Sequence, residues 1–112
     1  MPELSTEDAK LVTLARAARA RTGGIEGAAV RDGDGRTYAA ANVALPSLTL
    51  SALQLAVANA ATAGAKVLEA AAVVTEASTL DDDGLCAVRD LAATAPVYLA
   101  APDGAVLEVV TA

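Results

Sequence analysis

Apolar and polar positions follow one another along the chain in blocks, and each block has the period of one kind of element. Leu11, Leu14, Ala15 and Ala18 fall on one face of a helix, with Lys10, Arg16 and Arg19 turned outward. Ser5 and Asp8 have capping-box-like spacing, so this helix begins near Ser5. Gly23 and Gly24 stop it, because glycine accepts the left-handed cap conformation. A short apolar run at 25–30, with Gly27 inside it, leads into RDGDGR at 31–36, a turn of residues that tolerate positive φ. A second run at 37–43 completes a β-hairpin. Residues 44–47, with Pro46, read as a loop.

The stretch 48–65, LTLSALQLAVANAATAGA, carries no charge and predicts a helix over 49–63, buried nearly all round. A buried strand follows over 66–75 and a loop over 76–80. Asp82 or Asp83 then caps a helix reaching Ala93. The run 96–101 is a strand, PDG at 102–104 a tight turn, and 105–110 a last strand. The order is α-β-β-α-β-α-β-β. Such alternation predicts an α/β fold, with helices covering a mixed sheet, in a single domain spanning 1–112.

Composition sharpens this in three ways. Hydrophobic residues are 54% of the 112, yet there is no Phe or Trp and only two Tyr. An alanine-rich core buries little area per residue, at roughly 25 cal/mol per Å². Further burial between subunits, in a dimer or tetramer, is therefore expected. The net charge of −6, with scattered basic residues, excludes nucleic acid as a partner class. One cysteine allows no internal disulfide, and the N-terminal MPELSTEDAK is polar and acidic; both fit a cytoplasmic protein. The uncharged stretch is no membrane span, since Thr49, Ser51, Gln54, Asn59 and Thr62 interrupt it.

Candidate chemistry concentrates in DDDGLCAVRDL, 81–91, which holds the lone Cys86 just after three aspartates. Aspartates at such a place cap a helix and meet the positive end of its dipole, or else bind a metal. Cys86 reads as a small buried apolar residue, or as a thiol made reactive by the helix start. Ser51 reads as a helix cap; a serine nucleophile needs a base, and the chain has no histidine. DGDG is a hairpin turn and lacks the context of a phosphate loop.

Four segments together resemble the cytidine deaminases, small zinc enzymes that hydrolyse cytidine to uridine. GAAVRDGDGRTYAAANV at 27–43 is similar to the family's first hairpin, which ends in Asn-Val, here Asn42-Val43. LTLSALQLAVANAATAG at 48–64 resembles the helix whose start reads Leu-Thr-Val-Cys-Ala-Glu. VLEAAAVVTE at 67–76 resembles the third strand, and DDGLCAVRDLA at 82–92 the Pro-Cys-Gly-x-Cys-Arg segment. The short PDG turn, pairing the last two strands antiparallel, resembles the branch acting on free nucleosides. The resemblance covers about residues 5–110. It implies a three-layer α/β/α sandwich around a five-stranded mixed sheet, and an oligomer with sites between subunits.

The resemblance also implies which residues would carry the chemistry. In the family three side chains hold zinc at the starts of two helices, and a glutamate shuttles protons. Carried across, the ligand positions are Ser51, Asp83 and Cys86, and the glutamate position is Leu53. Serine is a poor zinc ligand, two ligands do not make a normal catalytic site, and leucine transfers no proton. Leu53 further predicts that hydrocarbon fills the former zinc pocket. Asn42 keeps the family's candidate ribose contact, but the glutamate that accompanies it is Ala44 here. Tyr38 and Tyr98 read as core or interface residues, not as platforms for a base. The expectation is a protein without metal or catalytic residues, keeping a structural, ligand-binding or regulatory role with a nucleoside as candidate ligand. The alternative is an active nucleoside deaminase with an atypical zinc site, using Asp83, Cys86, a neighbouring chain and Glu76 as proton carrier. A third is a module that binds another protein.

Overall fold

The computed structural model describes residues 4–92 and 94–112. Helix α1 spans Thr6–Thr22, with Ser5 Oγ accepting the Asp8 N–H as its N-cap and Gly23 ending it at φ 67°. Strands β1 (Glu26–Asp32) and β2 (Thr37–Ala41) form the expected hairpin around the DGDG turn. Asp32 is buried in that turn, where its carboxylate accepts the Asp34 and Arg36 N–H groups and the Tyr38 hydroxyl.

The next segment departs from expectation. Residues 44–47 are not simply a loop: β3 (Val43–Leu45) and β4 (Leu48–Leu50) pair antiparallel across a Pro46-Ser47 turn. Each strand is three residues long, too short for alternation to register as a pattern. Pro46 pre-sets a turn φ. Helix α2 consequently starts later than expected and spans Ala52–Thr62. It buries Ala52, Leu53, Ala56, Val57 and Ala60 but exposes Ala58, Asn59, Ala61 and Thr62, so it is one-sided and not buried all round.

Strand β5 is Leu68–Thr75, α3 is Asp82–Leu91, β6 is Pro96–Ala100 and β7 is Val106–Thr111. Asp81, not Asp82 or Asp83, is the N-cap of α3, its carboxylate accepting the Gly84 N–H at 2.6 Å. The expected end of that helix at Ala93 lies outside the described residues. The five-stranded sheet has the order β2-β1-β5-β6-β7, and only β5 and β6 are parallel. β6 and β7 pair antiparallel across the PDG turn, as expected.

Two apolar layers enclose the sheet. On one face α1 sets Leu11, Val12 and Ala15 against Ala29, Ala70, Ala72, Val74 and Ala100. On the other, α2 and α3 set Leu53, Ala56, Val57 and Val88 against Ala28, Val30, Ala71, Val73 and Val97. The molecule is thus an α/β/α sandwich whose sheet is largely alanine and valine. Small side chains let the layers approach closely. A Cβ on Gly27 would lie 2.0 Å from the Ala15 carbonyl oxygen, so β1 touches the backbone of α1 there. Asp8 ties α1 to the sheet: its carboxylate accepts the Tyr98 hydroxyl and sits 2.9 Å from the Arg31 guanidinium. Both tyrosines are therefore structural, as expected. Among the described residues no helix is long and apolar enough to cross a membrane.

Candidate functional site

The starts of α2 and α3 come together beside the first residues of β1, because α3 follows β5 and β1 lies next to β5 in the sheet. A cavity of about 380 Å3 opens there. The β3–β4 hairpin forms one wall, and the polar lining is Glu26, Asn42, Thr49, Ser51, Gln54, Asp81 and Asp83. No lysine or arginine lines it among the described residues.

Most of these polar groups are held by local structure. Ser51 closes a full capping box: its Oγ accepts the Gln54 N–H at 3.0 Å, and Gln54 Oε1 accepts the Ser51 N–H at 2.9 Å. Asn42 Oδ1 accepts the backbone N–H groups of Ile25 (3.1 Å) and Glu26 (3.3 Å). Glu26 Oε1 accepts the Ala52 N–H at 2.8 Å, at the first turn of α2. Asp81 is committed to its cap, while Asp83 is exposed.

The residues singled out from the sequence therefore divide. Asn42, Ser51 and Asp83 share the cavity, whereas Leu53 and Cys86 are absent from its lining. Leu53 is fully buried between α2 and α3. A Cβ on Gly84 would sit 2.9 Å from Leu53 Cβ, so the two helix starts close directly on this side chain. Cys86 is not the buried apolar residue expected: it is exposed, with the Arg89 guanidinium 4.0 Å from its Sγ. An amphipathic α3 explains this, since it buries Gly84 and Val88 and turns Cys86 away from that face. Glu76 is far more exposed than a proton carrier would be, and it lines a different cavity, beside Arg19.

Sequence reasoning missed Glu26. Its signal was the one carboxylate inside the apolar run 25–30, where a charge needs a partner. It also missed the partner of Ser51, although Ser51-x-x-Gln54 has the spacing of a capping box.

These residues do not fit a zinc ion. The Ser51 hydroxyl is engaged in its cap, hydrocarbon packs between the helix starts, and the one thiol faces solvent. Among the described residues no group of three His, Cys, Asp or Glu side chains is arranged to hold a metal ion.

A five-stranded mixed sheet between one helix and two, with a cavity where two helix starts converge, makes the class an α/β/α sandwich. The family model described as "Cytidine deaminase-like" matches residues 4–104, and the chain belongs to that family. The cytidine deaminase of Burkholderia pseudomallei is similar in structure over 96% of this chain and 93% of its own, at 26% identity and a TM-score of 0.81. That of Mycobacterium leprae is similar over 91% and 90%, at 22% identity and a TM-score of 0.70. A mutant cytidine deaminase from Mycobacterium tuberculosis is similar over 87% and 85%, at 22% identity and a TM-score of 0.68. Comparison with curated proteins finds no match.

Proposed function

We propose that this chain is a single-domain, cytoplasmic cytidine deaminase-like protein that has lost zinc binding and hydrolytic deamination. It keeps the cavity between β1, α2 and α3 as a nucleoside-binding site, in a structural or regulatory homo-oligomer. The observation that carries this reading is Leu53. Its side chain fills the space between the two helix starts, and the sequence resemblance puts it at the position of the family's proton-shuttling glutamate. General acid–base assistance is worth about 10²–10⁴-fold, and a hydrocarbon supplies none of it. Ser51, at a ligand position, spends its hydroxyl on the α2 cap. The exposed, uncharged outer face of α2, together with Ile25, Leu45 and Leu48, supports association of copies into a dimer or tetramer.

The test is elemental analysis of the purified protein alongside a direct assay for uridine formation from cytidine. Less than one-tenth equivalent of zinc and no turnover are the expected results. Stoichiometric zinc with turnover overturns the reading and favours an active deaminase with an atypical site.

A further inference from the structure

The two edges of the sheet are finished differently. β2 forms one edge, and both α1 and α2 pack against it, which buries Ala40 and Ala41. β7 forms the other and packs on β6. An edge strand presents a row of backbone N–H and C=O groups with no partner in its own sheet, and proteins ordinarily blunt such a row with Lys, Pro or a covering element. β7 reads VLEVVT: it holds no Lys or Pro and a single charge, Glu108. Leu107 is 59% exposed, Val109 38%, and Glu108 between them is exposed as well, so neither face of the strand's middle is covered. The break in register with β6 falls at the start of the strand, and Glu108 to Thr111 run in unbroken register with Leu99 to Pro96. A straight, apolar edge is thus left open.

We infer that β7 is a dimerisation strand: it pairs antiparallel with β7 of a second copy, about a two-fold axis at Val109, and joins two five-stranded sheets into one. The strand is complementary to itself in this register. A two-fold axis perpendicular to the sheet keeps the α1 sides of both copies together, so residues paired across it share a face. Val109 lies opposite Tyr98, on the α1 side, while Glu108 and Val110 lie opposite Leu99 and Val97, on the side of α2 and α3. Centred on Val109, the pairs are Val109 with its own copy, Glu108 with Val110, and Leu107 with Thr111, and no charge meets a like charge. Centred on Glu108, two carboxylates would stand opposite each other, which disfavours that register. Centred on Val110, the pairing leaves Leu107 bare. This interface is separate from the association through α2, Ile25, Leu45 and Leu48, because α2 packs over β1 and β2 at the other end of the sheet. It does not depend on the nucleoside-binding reading.

The experiment places single cysteines on β7 of the full chain, in a Cys86→Ala background that removes the one native thiol. Val109→Cys faces its own copy across the axis, and directly opposite residues stand about 4.5–5.5 Å apart between Cα atoms, within disulfide reach. Glu108→Cys faces Val110 of the copy, and its own counterpart is two positions out of register, beyond the roughly 7 Å that a disulfide spans. Under mild oxidation Val109→Cys is expected to form a covalent dimer at least about tenfold faster than Glu108→Cys. Hydrogen exchange on the unsubstituted protein gives a second readout, which holds even where a variant does not fold. The slowest amides of β7 are expected to exchange at least about tenfold more slowly in concentrated than in diluted protein. Equal cross-linking of the two variants, or exchange in β7 that is independent of concentration, overturns the inference. If the protein still sediments as an oligomer in that case, the association through α2 stands without it. A monomer at every concentration removes both.

Discussion

Replacing Leu53 by alanine tests whether the space between the starts of α2 and α3 is packed hydrocarbon. Leu53 is fully buried, and the core around it is built largely of Ala28, Ala52, Ala56, Ala60 and Ala71. The substitution removes three carbons, worth about 2.4 kcal/mol at about 0.8 kcal/mol per buried methylene. The hole left behind adds to this, because alanines have no rotamers with which to swing into it. A loss of about 3–4 kcal/mol follows, inside the range of about 2–5 kcal/mol for buried leucine truncations. In a protein of this size that lowers Tm by roughly 12–16 °C, at about 4 °C per kcal/mol. The assay is urea denaturation followed by circular dichroism, at one fixed protein concentration so that assembly does not contribute. The midpoint falls while the slope stays constant. A loss below about 1 kcal/mol would mean that the space between α2 and α3 is loosely filled. That result would refute the claim that Leu53 packs the two helix starts together.

Two further outcomes are expected. Asp81→Ala costs about 1 kcal/mol in the same denaturation assay, because it removes the α3 cap, while Asp83→Ala, exposed and uncommitted, changes stability by less than about 0.5 kcal/mol; equal effects would mean that the cap is misassigned. Burial and the hydrogen bond to Asp8 push the Tyr98 hydroxyl up to about 12, and the hydrogen bond to Asp32 raises Tyr38 above its ordinary value. The unfolded chain gives up the Tyr98 proton near pH 10 and the folded one only near 12, so the native state holds more protons in that window and stability falls as pH rises through it. Absorbance at the tyrosinate band checks this, and a tyrosine that ionises near pH 10 in the folded protein would contradict it.

The sequence by itself determined the order of the main elements, the mixed α/β architecture and the capping of α1, because these rest on local periodicity and on glycine and serine chemistry. Through the family resemblance it also placed Leu53 in hydrocarbon, and the side chain is fully buried. Where the sequence reading failed, distant partners had decided. The β3–β4 hairpin forms through pairings between Val43 and Leu50 and between Leu45 and Leu48, which no short run of alternation announces. Asp81 caps α3 because its carboxylate meets the Gly84 N–H, a choice among three adjacent aspartates that composition cannot make. Cys86 faces solvent because α3 lays Gly84 and Val88 against the core, a rotation that packing sets. Glu26 belongs to the cavity only because the fold brings the first residue of β1 to the first turn of α2, 26 positions further along the chain. A carboxylate acquires its role from the N–H it meets across that distance, and such long-range pairing exists only once the layers have packed.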